Sequence, residues 1–231
     1  MERFNLQDRI GDVGALYPGA LEIFARYDID FCCGGNRPLE EAVTEAGIDG
    51  NKLLKILNEG YEKFLESGKD GVTFNRMPSD QLSDHIVNTH HVYMKDTLPL
   101  IEKLSSKIVE VHGGRHPELK EVNRLFMELK SEIEKHLAKE EDVLFPLVKA
   151  HDEGCCAEAE RLLTVVGELR QEHEAAGSIL KSLRHVTGHY RVPDDSCQTY
   201  AFTYAKLQEM ENDLYHHIHL ENNILFKRLE G

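Results

Sequence analysis

The chain has no tryptophan, only 7 prolines and 5 cysteines in 231 residues, and nowhere a run of about 18 apolar residues of the kind that spans a bilayer. Its Lys and Arg number 27 against 41 Asp and Glu, a formal net charge of −14, so bare attraction to nucleic acid phosphates or to an anionic membrane surface is disfavoured. The first residues, "MERFNLQDRIGDVG", do not pair a basic stretch with an apolar one, so no leader is expected and a soluble cytoplasmic protein is. Four of the cysteines stand in adjacent pairs, Cys32-Cys33 and Cys155-Cys156, which cannot staple distant segments, and a reducing compartment fits them. With 41% hydrophobic residues there is ample material for a core, and the abundance of Glu, Lys, Leu and Ala points to helices.

From Ser79 onward the apolar positions recur with helical period in four long segments. The first runs to Val111 with Ser79 as N-cap and a kink expected at Pro99. The second opens at Pro117 and carries Leu119, Val122, Phe126, Leu129, Ile133, Leu144 and Leu147; the third spans Ala157 to His189 on Leu162, Val166, Leu169, Ala176, Leu180 and Leu183. The fourth spans Cys197 to Leu229 on Leu207, Met210, Leu214 and Ile224. Short polar connections between them predict an all-α antiparallel four-helix bundle over residues 79–231. Residues 1–70 read instead as short helices broken by Gly and Pro, a separate small module, with "ESGKDGVTFNRMP" as linker. Its Leu16, Leu21, Ile23 and Phe24 are available to pack on the bundle, on a second copy of the chain in a homodimer, or on another protein.

Two apolar stripes are interrupted in the same way. The second helix steps Leu129, Ile133, His136, Glu140, Leu144, and the fourth steps Met210, Leu214, His217, Glu221, Ile224; "LF" follows each glutamate at the same spacing. On the third helix His173 falls in phase with Leu169 and Ala176. A single His-x-x-x-Glu is unremarkable among 13 histidines and 41 acids, but two on core stripes are not. Unpartnered buried carboxylates cost several kcal/mol, on the order of the stability of a domain, so these groups should share a ligand. Residues four apart lie on one helical face, so each pair sends an imidazole and a carboxylate to one point. With a histidine from each remaining helix, the set exceeds what a tetrahedral zinc site takes and suits two iron ions bridged by both carboxylates and by oxide or hydroxide. On the first helix His85, His90 and His91 are all available, and a helical wheel places His90 nearest the middle of the arc of Leu82, Ile86, Tyr93 and Met94.

Taken together and in order, "YDIDFCCGGNRPLEEA", "HHVYMKDTLPLI", "HLAKEEDVLFP", "QEHEAAG" and "HIHLENNILF" resemble the repair of iron centres (RIC) family, di-iron proteins with a haemerythrin-like bundle. The resemblance covers nearly the whole chain. It implies a cytoplasmic stress-response protein that restores iron–sulfur clusters damaged by nitric oxide or peroxide, through iron donation or handling of nitric oxide, with apo or damaged iron–sulfur proteins as partners. Reversible sensing or carriage of nitric oxide or oxygen, and reduction of nitric oxide, use the same ligands. Carried over by motif, the implied ligands are His91, seven positions before "LP", with His136, Glu140, His173, His217 and Glu221, Glu140 and Glu221 bridging. The resemblance thus selects His91 where the wheel selects His90. Cys32 and Cys33 match the family's N-terminal module; ahead of a helix opening at Pro38, they are candidate redox or iron-transfer thiols of lowered pKa, or a buried structural pair. Cys155, Cys156 and Cys197 receive no role, and His112, His116, His151 and Glu172 are candidates to line an access path.

Overall fold

The computed structural model describes residues 3–67, 74–154 and 158–231, so part of the expected linker and the Cys155-Cys156 pair lie outside the described residues. Helix dominates among them, and the only β feature is an isolated bridge between Arg9 and Pro38. The chain divides into two units, Ser83–Leu214 and Met1–Leu82 together with Tyr215–Gly231.

The Ser83–Leu214 unit holds four long helical segments. The first is α6 (Val92–His112), which continues α5 (Ser79–Ile86) through a π turn at Val87–His91. The second is α7 (Leu119–Lys139), continued by a π turn at Glu140–Leu144 and α8 (Phe145–Asp152). The third is α9 (Ala159–Val186), and the fourth is α10 (Gln198–Leu220), which enters this unit up to Leu214. Side-chain pairs set the directions. Lys95 meets Glu141 while Ser105 meets Asn123; His136 meets Glu172 while Lys139 meets Glu168. Arg184 meets Glu211 while Tyr190 stacks edge-on near Tyr204; His90 meets Asp213 while His112 meets Cys197. In every pair one number rises as the other falls, so each helix runs antiparallel to both of its neighbours, as in an up-down-up-down bundle.

The expected stripes are the buried ones: Leu119, Val122, Phe126, Leu129 and Ile133 on α7, Leu162, Val166, Leu169, Leu180 and Leu183 on α9. On α9 the stripe passes through Gly177, and Ala176 sits at its half-buried edge. The helix also stops earlier than the expected His189. Thr187 turns its hydroxyl back onto the Leu183 carbonyl, and Gly188, His189 and Tyr190 all take positive φ (57°, 59° and 59°), which no helix continues through. Pro99 lies inside α6 on its exposed side, and helix is maintained on both sides of it.

The other unit contains α1 (Ile10–Leu16), α2 (Gly19–Arg26), α3 (Leu39–Glu45) and α4 (Gly50–Glu66), around a core of Ile10, Leu21, Phe24, Leu39, Leu53 and Leu57. Asp49 caps α4 by accepting from the Asn51 and Lys52 amides. These helices pack on the end of the chain, where α10 passes through a third π turn, Glu221–Leu225, into α11 (Phe226–Glu230). The Phe31 ring sits edge-on to Tyr215, His216 and His219 at 5.9–6.1 Å, and the Asn223 carboxamide donates to the Phe31 and Cys32 carbonyls at 3.1 Å each. Leu21 and Phe24, whose partner the sequence left open, are buried in this unit.

Candidate metal centre

Each His-x-x-x-Glu closes on itself. His136 Nε2 lies 3.1 Å from Glu140 Oε1, and His217 Nε2 lies 3.4 Å from Glu221 Oε1, as helical spacing of four requires. His91 Nε2 approaches Glu140 Oε2 at 3.2 Å, and His173 Nε2 approaches His136 Nε2 at 3.1 Å. All six side chains are buried, with Glu140 and Glu221 fully out of solvent. Two groups result among the described residues: His136, Glu140, His173 and Glu221, and His91, Glu140 and His217, with the offered atoms of each group within 4.8 Å of one another. Glu140 belongs to both.

The outward-facing ring nitrogens explain what the inner ones present. His91 Nδ1 is 2.7 Å from Glu141 Oε1, and His136 Nδ1 is 2.8 Å from Glu172 Oε2. Lysines support both carboxylates, Lys95 on Glu141 and Lys139 on Glu172. The contact with His136, reinforced by Lys139, holds the Glu172 carboxyl at about 2; burial works to raise Glu141, but Lys95 and His91 outweigh it and hold it low. Ionised carboxylates of this kind fix the ring proton on Nδ1, which leaves the Nε2 lone pair pointing inward. A neutral ring so arranged sets a lone pair against a Glu140 oxygen, and at His136 against a second imidazole nitrogen. A cation between them turns that repulsion into attraction. The donor set is nitrogen and oxygen only, which fits a hard or borderline metal ion.

His90, the residue chosen by the wheel, instead places Nδ1 3.0 Å from Asp213 Oδ1 and belongs to neither group. The cause is the π turn at Val87–His91, which adds a residue to one turn and shifts the phase of the helix by about 100°. Pro99, where the sequence predicts a kink, lies about two turns further along. Sequence reasoning also passed over Glu141 and Asp213, and gave Glu172 only an access role; the one signal was their position beside a ligand candidate or one turn before one. His112 contacts Cys197, His116 lies between Glu118 and Asp195, and His151 is exposed beside Asp152.

Cys32 is buried, its Sγ 3.8 Å from Cys33 Sγ and 3.4 Å from Asp30 Oδ1. The hydrogen bond with Cys33, together with burial, pushes its thiol well up, the reverse of the lowering expected from a helix N-terminus. The following helix, α3, opens at Leu39 and has only seven residues.

Residues 82–229 match the Hemerythrin HHE cation binding domain, and residues 6–61 match a domain described as Domain of Unknown function (DUF542). A protein of Haemophilus influenzae named "Probable iron-sulfur cluster repair protein" is 32% identical over 224 residues, covering 96% of each chain. The iron-sulfur cluster repair protein YtfE of Edwardsiella ictaluri is 30% identical over 222 residues and 96% of each chain. The iron-sulfur cluster repair protein ScdA of Staphylococcus epidermidis is 29% identical over 226 residues, 96% of this chain and 98% of that one. With these matches over a buried His/Glu cluster in a helical bundle, the chain belongs to the haemerythrin-like family that those repair proteins represent.

Proposed function

We propose that the six buried His and Glu side chains hold two iron ions, and that the chain acts in restoring damaged iron–sulfur clusters. The observation that carries the metal assignment is the sharing of Glu140, whose two oxygens face His91 and His136 on either side at 3.2 and 3.1 Å. His136, Glu140, His173 and Glu221 would hold one ion and His91, Glu140 and His217 the other. Iron held there would supply binding of nitric oxide or an oxygen species, and would be the cargo for release. The protein's own part is to aim Nε2 of His91 and His136 inward through Glu141 and Glu172, and to exclude bulk water from the carboxylates. The names borne by the relatives support cluster repair; apo or damaged iron–sulfur proteins would then be the partners and released iron the cargo.

Purified without oxygen, the chain should carry about two iron atoms, and Glu140→Leu or Glu221→Leu should lose most of them while helical content holds. Iron content unchanged in both variants would remove these ligands. For the repair role, the iron-loaded protein is added to an iron–sulfur enzyme inactivated by nitric oxide. Recovery should exceed that given by the same amount of free ferrous iron; recovery no greater than free iron sinks the role.

A further inference from the structure

We propose that Cys197 is an activated thiol, paired with His112, that is reversibly oxidised by small hydroperoxides. The pair stands where the end of α6 meets the start of α10, apart from the six metal-ligand candidates. Cys197 is exposed and occupies the N-cap of the 23-residue α10: its carbonyl accepts the first helical bond from the Ala201 amide, and its sulfur accepts from the Thr199 and Tyr200 amides. A helix N-terminus favours an anion at that place. Beneath it, His112 is only 4% exposed, and its Nε2 is aimed at Sγ from 3.1 Å. His112 Nδ1 has no hydrogen-bond partner among the described residues, so the thiol is the polar group this ring addresses. The Tyr200 ring closes edge-on to His112 at 5.5 Å and holds the imidazole in place.

The other charged groups around the pair are bound to each other. His116 joins Glu118 at 3.1 Å and Asp195 at 3.0 Å, and Arg115 reaches Asp195 at 3.2 Å. Glu118 and Asp195 are thus each matched by a cation or a ring N–H. The His112 contact and the two amides outweigh the little burial there is and bring the thiol down to about 7. Near neutral pH a large fraction is thiolate, open to solvent, with no pocket wall to select a large substrate. A hydroperoxide suits it. The thiolate attacks the near peroxide oxygen, the S–O bond forms as the O–O bond breaks, and the leaving hydroxide or alkoxide takes a proton from water. Sulfur is oxidised by two electrons and the peroxide reduced by two. A small thiol condenses with the sulfenic acid to a mixed disulfide and water, and a second small thiol restores Cys197 as the small disulfide leaves.

The test uses the full chain, in chelator-containing buffer to suppress free-iron chemistry, with per-cysteine alkylation rates read by mass spectrometry across pH. In the unaltered protein the rate at Cys197 should rise with a midpoint of about 7, and at neutral pH it should exceed the rate at Cys32 at least about tenfold. His112→Phe should move the Cys197 midpoint toward the ordinary thiol value of about 8.5. Equimolar hydrogen peroxide should then place a dimedone adduct on Cys197, absent in Cys197→Ser. A midpoint at or above the ordinary value in the unaltered protein overturns the proposal, and so does a low midpoint without the adduct.

Discussion

His91 and His136 are each gripped on the ring nitrogen turned away from Glu140, and the grip is charged: Glu141 and Glu172 are both held ionised by lysines as well as by the rings themselves. Carboxylates in that position orient a ligand ring and raise its basicity, and removing one typically weakens metal binding 10–100-fold. Glu172→Gln and Glu141→Gln should therefore each raise the apparent dissociation constant for ferrous iron by roughly 10-fold or more, while Glu174→Gln on the exposed face of α9 leaves it unchanged. Competition against a chelator of known affinity measures this; equal affinities for all three variants would mean the outer carboxylates only dress the surface. At this scale the sequence was legible where the residue itself interrupts an apolar stripe, as His136, Glu140, His173, His217 and Glu221 do. It was not legible for Glu141 and Glu172. They sit half-exposed among 41 acids, and nothing in their spacing separates them from solvated neighbours until the facing helix supplies the ring.

The three π turns, Val87–His91, Glu140–Leu144 and Glu221–Leu225, each begin or end on a ligand candidate. Wider turns of this kind re-aim side chains at functional sites, and a stripe read at 3.6 residues per turn drifts across each one. This is why the long helices were readable and the choice between His90 and His91 was not. The same logic separates the two copies of the repeat. Where the first copy has Glu141 and Asp142, the second has Asn222 and Asn223, and Asn223 serves the backbone of Phe31 and Cys32 as well as the His219 ring. Gly11 and Gly35 make room for it: a Cβ on either would stand 2.2 or 2.3 Å from Asn223 Oδ1. Asn223→Ala should cost about 1–3 kcal/mol by leaving the buried Phe31 and Cys32 carbonyls only their longer contacts, His219 at 3.4 Å and Asn222 at 3.5 Å, and Gly11→Ala should destabilise because it drives a methyl group into the carboxamide. Gly167 on α9 supplies the contrast. It has nothing within 4 Å of an added Cβ, so Gly167→Ala should stabilise by about 0.5–1 kcal/mol through helix propensity alone. Urea titrations of the three variants read all of these; a Gly11→Ala protein as stable as the parent would contradict the packing of the N-terminal helices on Asn223.

Across the whole molecule the ligand candidates are spread from His91 to Glu221, so no short piece of the chain carries the complete set. An ion that binds the folded chain and not the unfolded one stabilises by mass action, about 2.7 kcal/mol when its free concentration is 100 times the dissociation constant. The gain is concentrated on side chains that are costly to bury without it: Glu140 and Glu221 are fully buried, 3.1 and 3.4 Å from the imidazole nitrogens of His136 and His217. For a chain of this size a gain of about 1 kcal/mol moves the thermal midpoint by roughly 2–4 °C, so saturating ferrous iron without oxygen should raise Tm by roughly 5–10 °C. A chelator should reverse the rise. Glu221→Leu replaces a buried carboxylate with an apolar side chain of similar reach, so its metal-free Tm should equal or exceed that of the unaltered protein while its response to iron shrinks. Calorimetry of both proteins with and without iron separates the two effects. An unaltered protein whose Tm ignores ferrous iron, or a Glu221→Leu protein that responds as fully as the parent, would show that these helices do not fold around the metal.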